Sequence, residues 1–314
     1  MRIGLVVDSG CDLPQEYLEA NKFIILPITI HMGSRDVIDK RDPEATKLFY
    51  SQHLGEMSDA GTSPYTMEQI RDLFLTRLVI DYDFVFCMTI ASSRSPIFDN
   101  ATKASHAILN DYKPIREKAG VPGPFALRVI DCQNLFAGQG VVAAEAVRQI
   151  RSGQTNPNKI RERLEQVAQS TYTYMLPRDL FYIRTRAKKK GDRSVGFMSA
   201  FMGTALDIKP LLRCHRNETG PVAKLRHFDE GAQKFFKFVA GRIEKGLMTR
   251  TLCFSYGGDL KVMRALPGYA DLVKLAQDKG VEVFESTMSI TGAINVGEGA
   301  LAVGFADEPH EVSL

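Results

Sequence analysis

The sequence predicts an α/β protein made of two α/β domains. Short apolar runs (Ile3–Val7, Phe84–Ile90, Phe125–Ile130) end in turn residues, and amphipathic stretches of helical period lie between them. Periodicity then lapses at Arg151-Ser152-Gly153-Gln154-Thr155-Asn156-Pro157-Asn158, where Gly, Asn and Pro gather, before a second α/β pattern begins. The lapse divides the chain into an N-terminal domain, residues 1–155, and a C-terminal domain, residues 156–314.

Ile3-Gly4-Leu5-Val6-Val7 is the run of a buried strand, and Asp8-Ser9-Gly10-Cys11-Asp12-Leu13-Pro14 turns it into a capped helix. Phe23–Ile30 reads as a second buried strand, Gly33–Asp42 as a polar bend, and the stretch to about His53 as a helix with Leu48 and Phe49 on its core face. Thr62-Ser63-Pro64 reads as a turn at a helix start, followed by Met67, Ile70, Phe74 and Leu78 at helical spacing. Phe84–Ile90 is a third strand. A second hydroxyl-bearing turn, Ala91-Ser92-Ser93-Arg94-Ser95, lies beyond its carboxyl end and precedes a helix carrying Ile97, Ala101, Ala104 and Ile108. A fourth strand, Phe125–Ile130, leads through Asp131–Phe136 to a helix over Gly138–Ile150. The second half reads as a helix at 158–169, a strand near Thr171–Met175, and helices around 178–189 and 194–204. A hairpin follows, Ile208–Cys214 with Val222–Arg226 around Asn217-Glu218-Thr219-Gly220. The rest is a helix at 229–246, a strand at 251–256, a helix at 259–278, a strand at 281–287 and a last strand, Ala300–Phe305.

The two hydroxyl turns are the candidate binding elements. A helix start offers unpaired backbone N–H groups, and a Ser or Thr there adds a hydroxyl. Either turn alone is an ordinary N-cap. Two of them converging would hold a carboxylate or phosphate without a cationic side chain, and the second lies where open α/β sheets bind ligands.

Other chemistries find little footing. Forty basic and 37 acidic residues leave a net charge of +3, which points to neither nucleic acid nor an acidic membrane. The five cysteines are scattered and lack any CxxC pair, as expected of reduced thiols in a cytoplasmic protein. No apolar stretch reaches the length of a membrane span, and the apolar N-terminus is too short for a signal peptide. Gly138-Gln139-Gly140-Val141-Val142-Ala143 fits G-x-G-x-x-A, but it comes in the fourth unit and well after its strand. The six histidines lack metal-ligand spacing. Asp8 reads about equally as a metal ligand or base and as a turn cap. Arg184–Arg193 packs six cations and one anion into ten residues, either as a solvated face or as a dock for an acidic partner.

Taken in order, Asp8–Pro14, Pro27-Ile28-Thr29, Phe49-Tyr50, Thr62-Ser63-Pro64, Ser92-Ser93, Val129-Ile130-Asp131, Leu206-Asp207-Ile208-Lys209-Pro210 and Gly297-Glu298-Gly299-Ala300-Leu301 resemble the DegV family. The resemblance implies a fatty-acid-binding protein, the acyl-carrying subunit of a bacterial fatty acid kinase, with a lipid tunnel between its domains. It places the fatty-acid carboxylate on Thr62 and Ser93, with Ser63, Ser92, Arg94, Arg193 and Asn295 as secondary contacts. Three motifs depart from the family. Arg94-Ser95-Pro96-Ile97 stands for Leu-Ser-Gly-Thr, Gly191-Asp192-Arg193-Ser194 for Gly-Gly-Arg-Ile, and Asn295-Val296-Gly297-Glu298-Gly299 for His-Thr-Gly-Pro-Gly, which loses a histidine near the head group.

The expectation is a non-catalytic carrier that binds a long-chain fatty acid and presents its carboxylate to a separate ATP-dependent kinase subunit. It needs no cofactor or metal, binds no nucleic acid and does not insert stably into membranes. The alternative is a serine hydrolase acting on a lipid or small ester with Ser93 as nucleophile, which requires a histidine such as His106, His215 or His227 in reach.

Overall fold

Strand β1 (Ile3–Asp8) is buried along all but its first residue, as an apolar run covered on both faces must be. The computed structural model describes residues 1–52, 60–181, 183 and 207–314. In it β1 lies inside a four-stranded parallel sheet with β2 (Ile24–Leu26), β6 (Phe84–Thr89) and β7 (Ala126–Asp131), in the order β2-β1-β6-β7. The helix after β1, α1 (Gln15–Ala20), starts at Pro14 without a side-chain cap, because Asp12 is drawn into a buried network instead.

Phe23–Ile30 does not form one strand. Pro27 has no N–H to give a ladder, and the chain leaves the parallel sheet there. It continues as β3 (Ile28–Met32), the middle of a separate antiparallel sheet ordered β4-β3-β5, with β4 (Arg35–Asp39) and β5 (Gly61–Pro64). The expected polar bend is therefore mostly β4, joined to β3 through Gly33 at φ +57°. Helix α2 (Pro43–Gln52) buries Phe49 but leaves Leu48 52% exposed, which corrects the assignment of Leu48 to the core face.

Helix α3 (Met67–Leu73) runs on through a π-helical segment, Phe74–Leu78, to a last turn at Val79–Asp81. It is followed by α4 (Ile97–Ala107), α5 (Tyr112–Lys118) and α6 (Ala137–Arg151).

After α7 (Pro157–Ser170) the second half builds a six-stranded mixed sheet, ordered β10-β9-β8-β13-β11-β12. Its strands are β8 (Thr171–Leu176), β9 (Ile208–His215), β10 (Glu218–Arg226), β11 (Thr251–Tyr256), β12 (Glu282–Thr287) and β13 (Leu301–Ala306). The helices are α8 (Phe228–Lys245), α9 (Leu260–Arg264), α10 (Tyr269–Asp278) and α11 (Ile290–Val296). The helix expected over 259–278 is thus two, parted where Pro267 and Gly268 (φ +84°) break the ladder, and α11 was not expected at all. The helices expected at 194–204 and over most of 178–189, the cationic run and Arg193 all lie outside the described residues.

Helix α6 joins the halves. Residues 137–147 are buried throughout, and the helix packs on β8, β11 and β13 on one side and on β1 and β6 on the other. Gly138 permits this approach, since a Cβ there would run into the Thr173 hydroxyl. A smaller apolar cluster lies where α11 packs under the three-stranded sheet, between Ile30 and Met32 above and Ile290, Ala293 and Ile294 below.

Candidate functional site

Thr62-Ser63-Pro64 is strand, not a turn at a helix start. The helix start comes later, at Thr66, whose hydroxyl accepts from Gln69 N–H while the Gln69 side chain accepts from Thr66 N–H. That capping box, Thr66-Met67-Glu68-Gln69, is visible in the sequence and was the signal to follow. Strand alternation sends Thr62 and Ser63 to opposite faces. Thr62 pairs with the fully buried Ile30 and shares its inward face; Ser63 shares the outer face with His31 and bonds to it. Among the described residues the Thr62 hydroxyl has no hydrogen-bond partner. One carboxylate cannot take both side chains, and Thr62 is the one facing inward.

The second turn is also not a cap. Pro96 precedes α4 without a side-chain cap, and only Ser95 among the serines bonds the helix start, accepting from Ile97 N–H at 3.3 Å. Ser92 donates its hydroxyl to Asp131 Oδ2 at 2.6 Å and its N–H to Asp131 Oδ1 at 3.1 Å. Ser93 donates its hydroxyl to the Asn217 carbonyl at 2.6 Å, and Asn217 Nδ2 donates to Asp131 Oδ2 at 2.8 Å. Asn217 sits at the tip of the β9–β10 hairpin, whose loop is the pair Arg216–Asn217 at φ +50° and +68°, shorter than the loop expected at 217–220. Arg94 donates its N–H to Ala91 O, closing the turn.

The two candidate segments are tied together, because Asn100 Nδ2 on α4 donates to Tyr65 O, one residue past β5, at 2.9 Å. Asn295 lies near the end of α11 and donates to Thr291 O at 2.7 Å, so it serves its own helix. The structure thus places Thr62 on the inward face, and Ser92 and Ser93 in a hydrogen-bonded clasp.

Sequence reading missed the buried polar seam between the halves. Arg41, 6% exposed, donates to Asp12 Oδ1 at 3.1 Å, Leu13 O at 3.1 Å, Ser286 Oγ at 2.8 Å and Thr287 O at 3.2 Å. Asp12 also accepts from the Ser255 hydroxyl and from Ser289 N–H. Burial pushes the Asp12 carboxyl above its usual range, and Arg41, Ser255 and Ser289 pull it part of the way back. Asp39, raised for the same reason, accepts from Thr291 N–H and Oγ1 on α11. A cleft of about 670 Å³ opens beside this seam, and along it the acids Glu16, Glu44, Asp259, Glu285 and Glu298 outnumber the cations Arg41 and Lys47, an unfavourable setting for a carboxylate.

Asp8 is a cap, not a metal ligand. It accepts from Gly10 N–H at 2.9 Å, Ile90 N–H at 2.6 Å and Gln139 Nε2 at 3.1 Å, and burial raises its pKa to about 6. Gln139, the x of the glycine motif, is spent on this bond inside α6. Among the described residues no cluster of metal-ligating side chains exists, and no helix is long and apolar enough to cross a membrane. All five cysteines are free and buried. Of the histidines considered for Ser93, His215 stacks on Tyr172 and bonds Thr171 O, His227 bonds Asp207, and His106 is exposed on α4. With its proton given to a main-chain carbonyl, Ser93 is not placed as a nucleophile.

The DegV family model matches residues 2–308, nearly the whole chain. The chain belongs to the DegV family. A DegV domain-containing protein of Xanthomonas campestris pv. campestris is 58% identical over 314 residues, covering 100% of both chains. DegV from Bacillus subtilis, a fatty acid binding protein, superposes with a TM-score of 0.75 at 20% identity over 98% of this chain and 100% of its own. A DegV family protein from Eubacterium eligens, loaded with heptadecanoic acid, gives 0.73 at 18% identity over 98% of this chain and 100% of its own.

Proposed function

We propose that this DegV protein is a non-catalytic carrier of one long-chain fatty acid, held in a tunnel between domains 1–155 and 156–314. Thr62 and Ser93 receive the carboxylate, which is offered to a separate ATP-dependent kinase subunit for acyl-phosphate formation in the cytoplasm. Neither nucleic acid nor stable membrane insertion has a part in this function. The observation that carries the reading is the inward-facing Thr62 hydroxyl, without a hydrogen-bond partner among the described residues, on a fold shared along its length with fatty-acid-binding relatives. A hydroxyl donating to a carboxylate makes a charge-assisted bond without a cationic partner. Burying about fifteen methylenes at about 0.8 kcal/mol each gives roughly 12 kcal/mol before ordering costs, enough to hold the lipid tightly.

The test is to denature the purified protein, extract it with organic solvent and identify the extract by mass spectrometry. Long-chain fatty acid at close to one per chain supports the carrier. No lipid, even after delipidated protein has been offered fatty acid, overturns it. Transfer of the acyl group to a kinase subunit with ATP is a separate assay of the presentation step.

A further inference from the structure

On the outer face of the three-stranded sheet, Ser63, His31 and Asp36 stand in a row across β5, β3 and β4. Ser63 Oγ lies 2.7 Å from His31 Nε2, and His31 Nδ1 lies 2.7 Å from Asp36 Oδ1. A carboxylate at Nδ1 keeps the imidazole proton on that nitrogen, so Nε2 offers a lone pair to the Ser63 hydroxyl. Nucleophile, base and orienting carboxylate occur in this order in acyl-transfer enzymes of unrelated folds.

The register builds the row. His31 lies opposite Asp36 on one side and Gly61 on the other, and Ser63, two residues past Gly61, shares their face. Thr62 points the other way, so the row is separate from the proposed head-group site. A Cβ placed on Gly61 would meet nothing nearer than His31 Cβ at 3.9 Å, which leaves room beside the Ser63 hydroxyl. Ile38, on the same face, is 46% exposed and offers an apolar surface. Among the described residues β5 is an edge strand, so every second N–H along Gly61–Ser63 points away from β3 and can serve an oxyanion.

We propose that Ser63 is a nucleophile, with His31 as its base and Asp36 as a positioning residue, and that the row cleaves carboxylic esters of small acyl groups. Ser63 Oγ bonds the acyl carbon as its proton passes to His31 Nε2. That proton leaves with the alcohol when the ester C–O bond breaks. Water, deprotonated by the same nitrogen, then releases the acid and restores the serine. This activity goes beyond the carrier reading and does not rest on it: the row lies on the face opposite Thr62, and "non-catalytic" there describes the lipid site alone. The His31 and Asp36 side chains are 44% and 62% exposed, so their pairing is screened and the contribution of the base falls at the low end, about 10²-fold.

The full chain is treated with a fluorophosphonate probe, the adduct is located by peptide mass spectrometry, and hydrolysis of p-nitrophenyl acetate is followed in parallel. Wild type carries the adduct on Ser63, and Ser63→Ala loses both adduct and turnover. His31→Gln slows labelling about 10²-fold, and Asp36→Asn slows it about threefold, as for an exposed pair. The wild-type labelling rate rises with pH to a plateau, and His31→Gln flattens that profile, which loss of a structural contact would not do. No adduct on Ser63 in wild type, or equal rates and pH profiles in wild type and folded His31→Gln, overturns the proposal.

Discussion

The Ser93 hydroxyl donates to the main-chain carbonyl of Asn217, 124 positions along the chain and on the other side of the boundary between the halves. A hydroxyl has one proton. To donate it to a carboxylate, Ser93 must first release Asn217, so in the carrier reading lipid uptake is coupled to movement of the β9–β10 hairpin tip. Asn217→Gly keeps the positive-φ turn, which glycine favours, and deletes the amide bonds to Asp131 and Ser93 N–H. We expect fluorescent fatty acid to associate about threefold to tenfold faster with this variant in stopped flow, the equivalent of about one hydrogen bond. An unchanged association rate would show that the hairpin does not gate uptake.

Much of the fold was legible because its signals are local. β1, β6 and α6 follow from apolar runs and helical spacing in single windows of sequence. The three-stranded sheet was hidden, since Pro27 passes the chain from one sheet to another with no break in its apolar run, and β5 looks like a cap because Thr, Ser and Pro favour both settings. Ser93 was found by its position beyond β6. Its partner Asn217 could not be, because no local pattern links a hairpin tip to a turn in the other half. The same holds for Arg41, which lies in the stretch expected to be a polar bend and becomes the centre of the buried seam only in three dimensions.

Removing Arg41 should be costly. Arg41→Ala leaves Asp12 buried with a hydroxyl and one N–H for company, and breaking a buried pair in this way costs about 3–5 kcal/mol. Urea denaturation should show that loss, with a partial return in the double variant Asp12→Asn/Arg41→Met, which removes both charges. A single variant within about 0.5 kcal/mol of wild type would mean that water replaces the guanidinium.

Asp8 should make stability fall as pH rises. Its folded pKa, about 6, exceeds the unfolded value of about 3.9, so the folded state binds the proton more tightly. The stabilising contribution is full below pH about 4, declines through pH about 6 and is absent above it, roughly 3 kcal/mol in all. Comparing wild type with Asp8→Asn isolates this group from Asp12 and Asp39, which burial raises in the same direction. The wild-type advantage over Asp8→Asn, read from denaturation midpoints, should shrink between pH 4 and 6; a flat difference would place the carboxyl in an ionised, unshifted state.

Thr62 and Ser93 should contribute unequally to head-group binding, although the resemblance treats them alike. Thr62 has no partner to surrender among the described residues, so its bond to a carboxylate is a net gain, and Thr62→Ala should weaken fatty-acid binding by about 1.5–3 kcal/mol. Ser93 exchanges the Asn217 carbonyl for the ligand, and Ser93→Ala should cost only about 0.5–1.5 kcal/mol. Because both donate to one acceptor, the double variant should lose a different amount from the sum. Titration of wild type, both single variants and the double with a fluorescent fatty acid reads all three quantities. Equal losses would mean that the hairpin releases Ser93 at no cost. If both alanine variants bind as tightly as wild type, the carboxylate lies elsewhere and the head-group assignment is wrong.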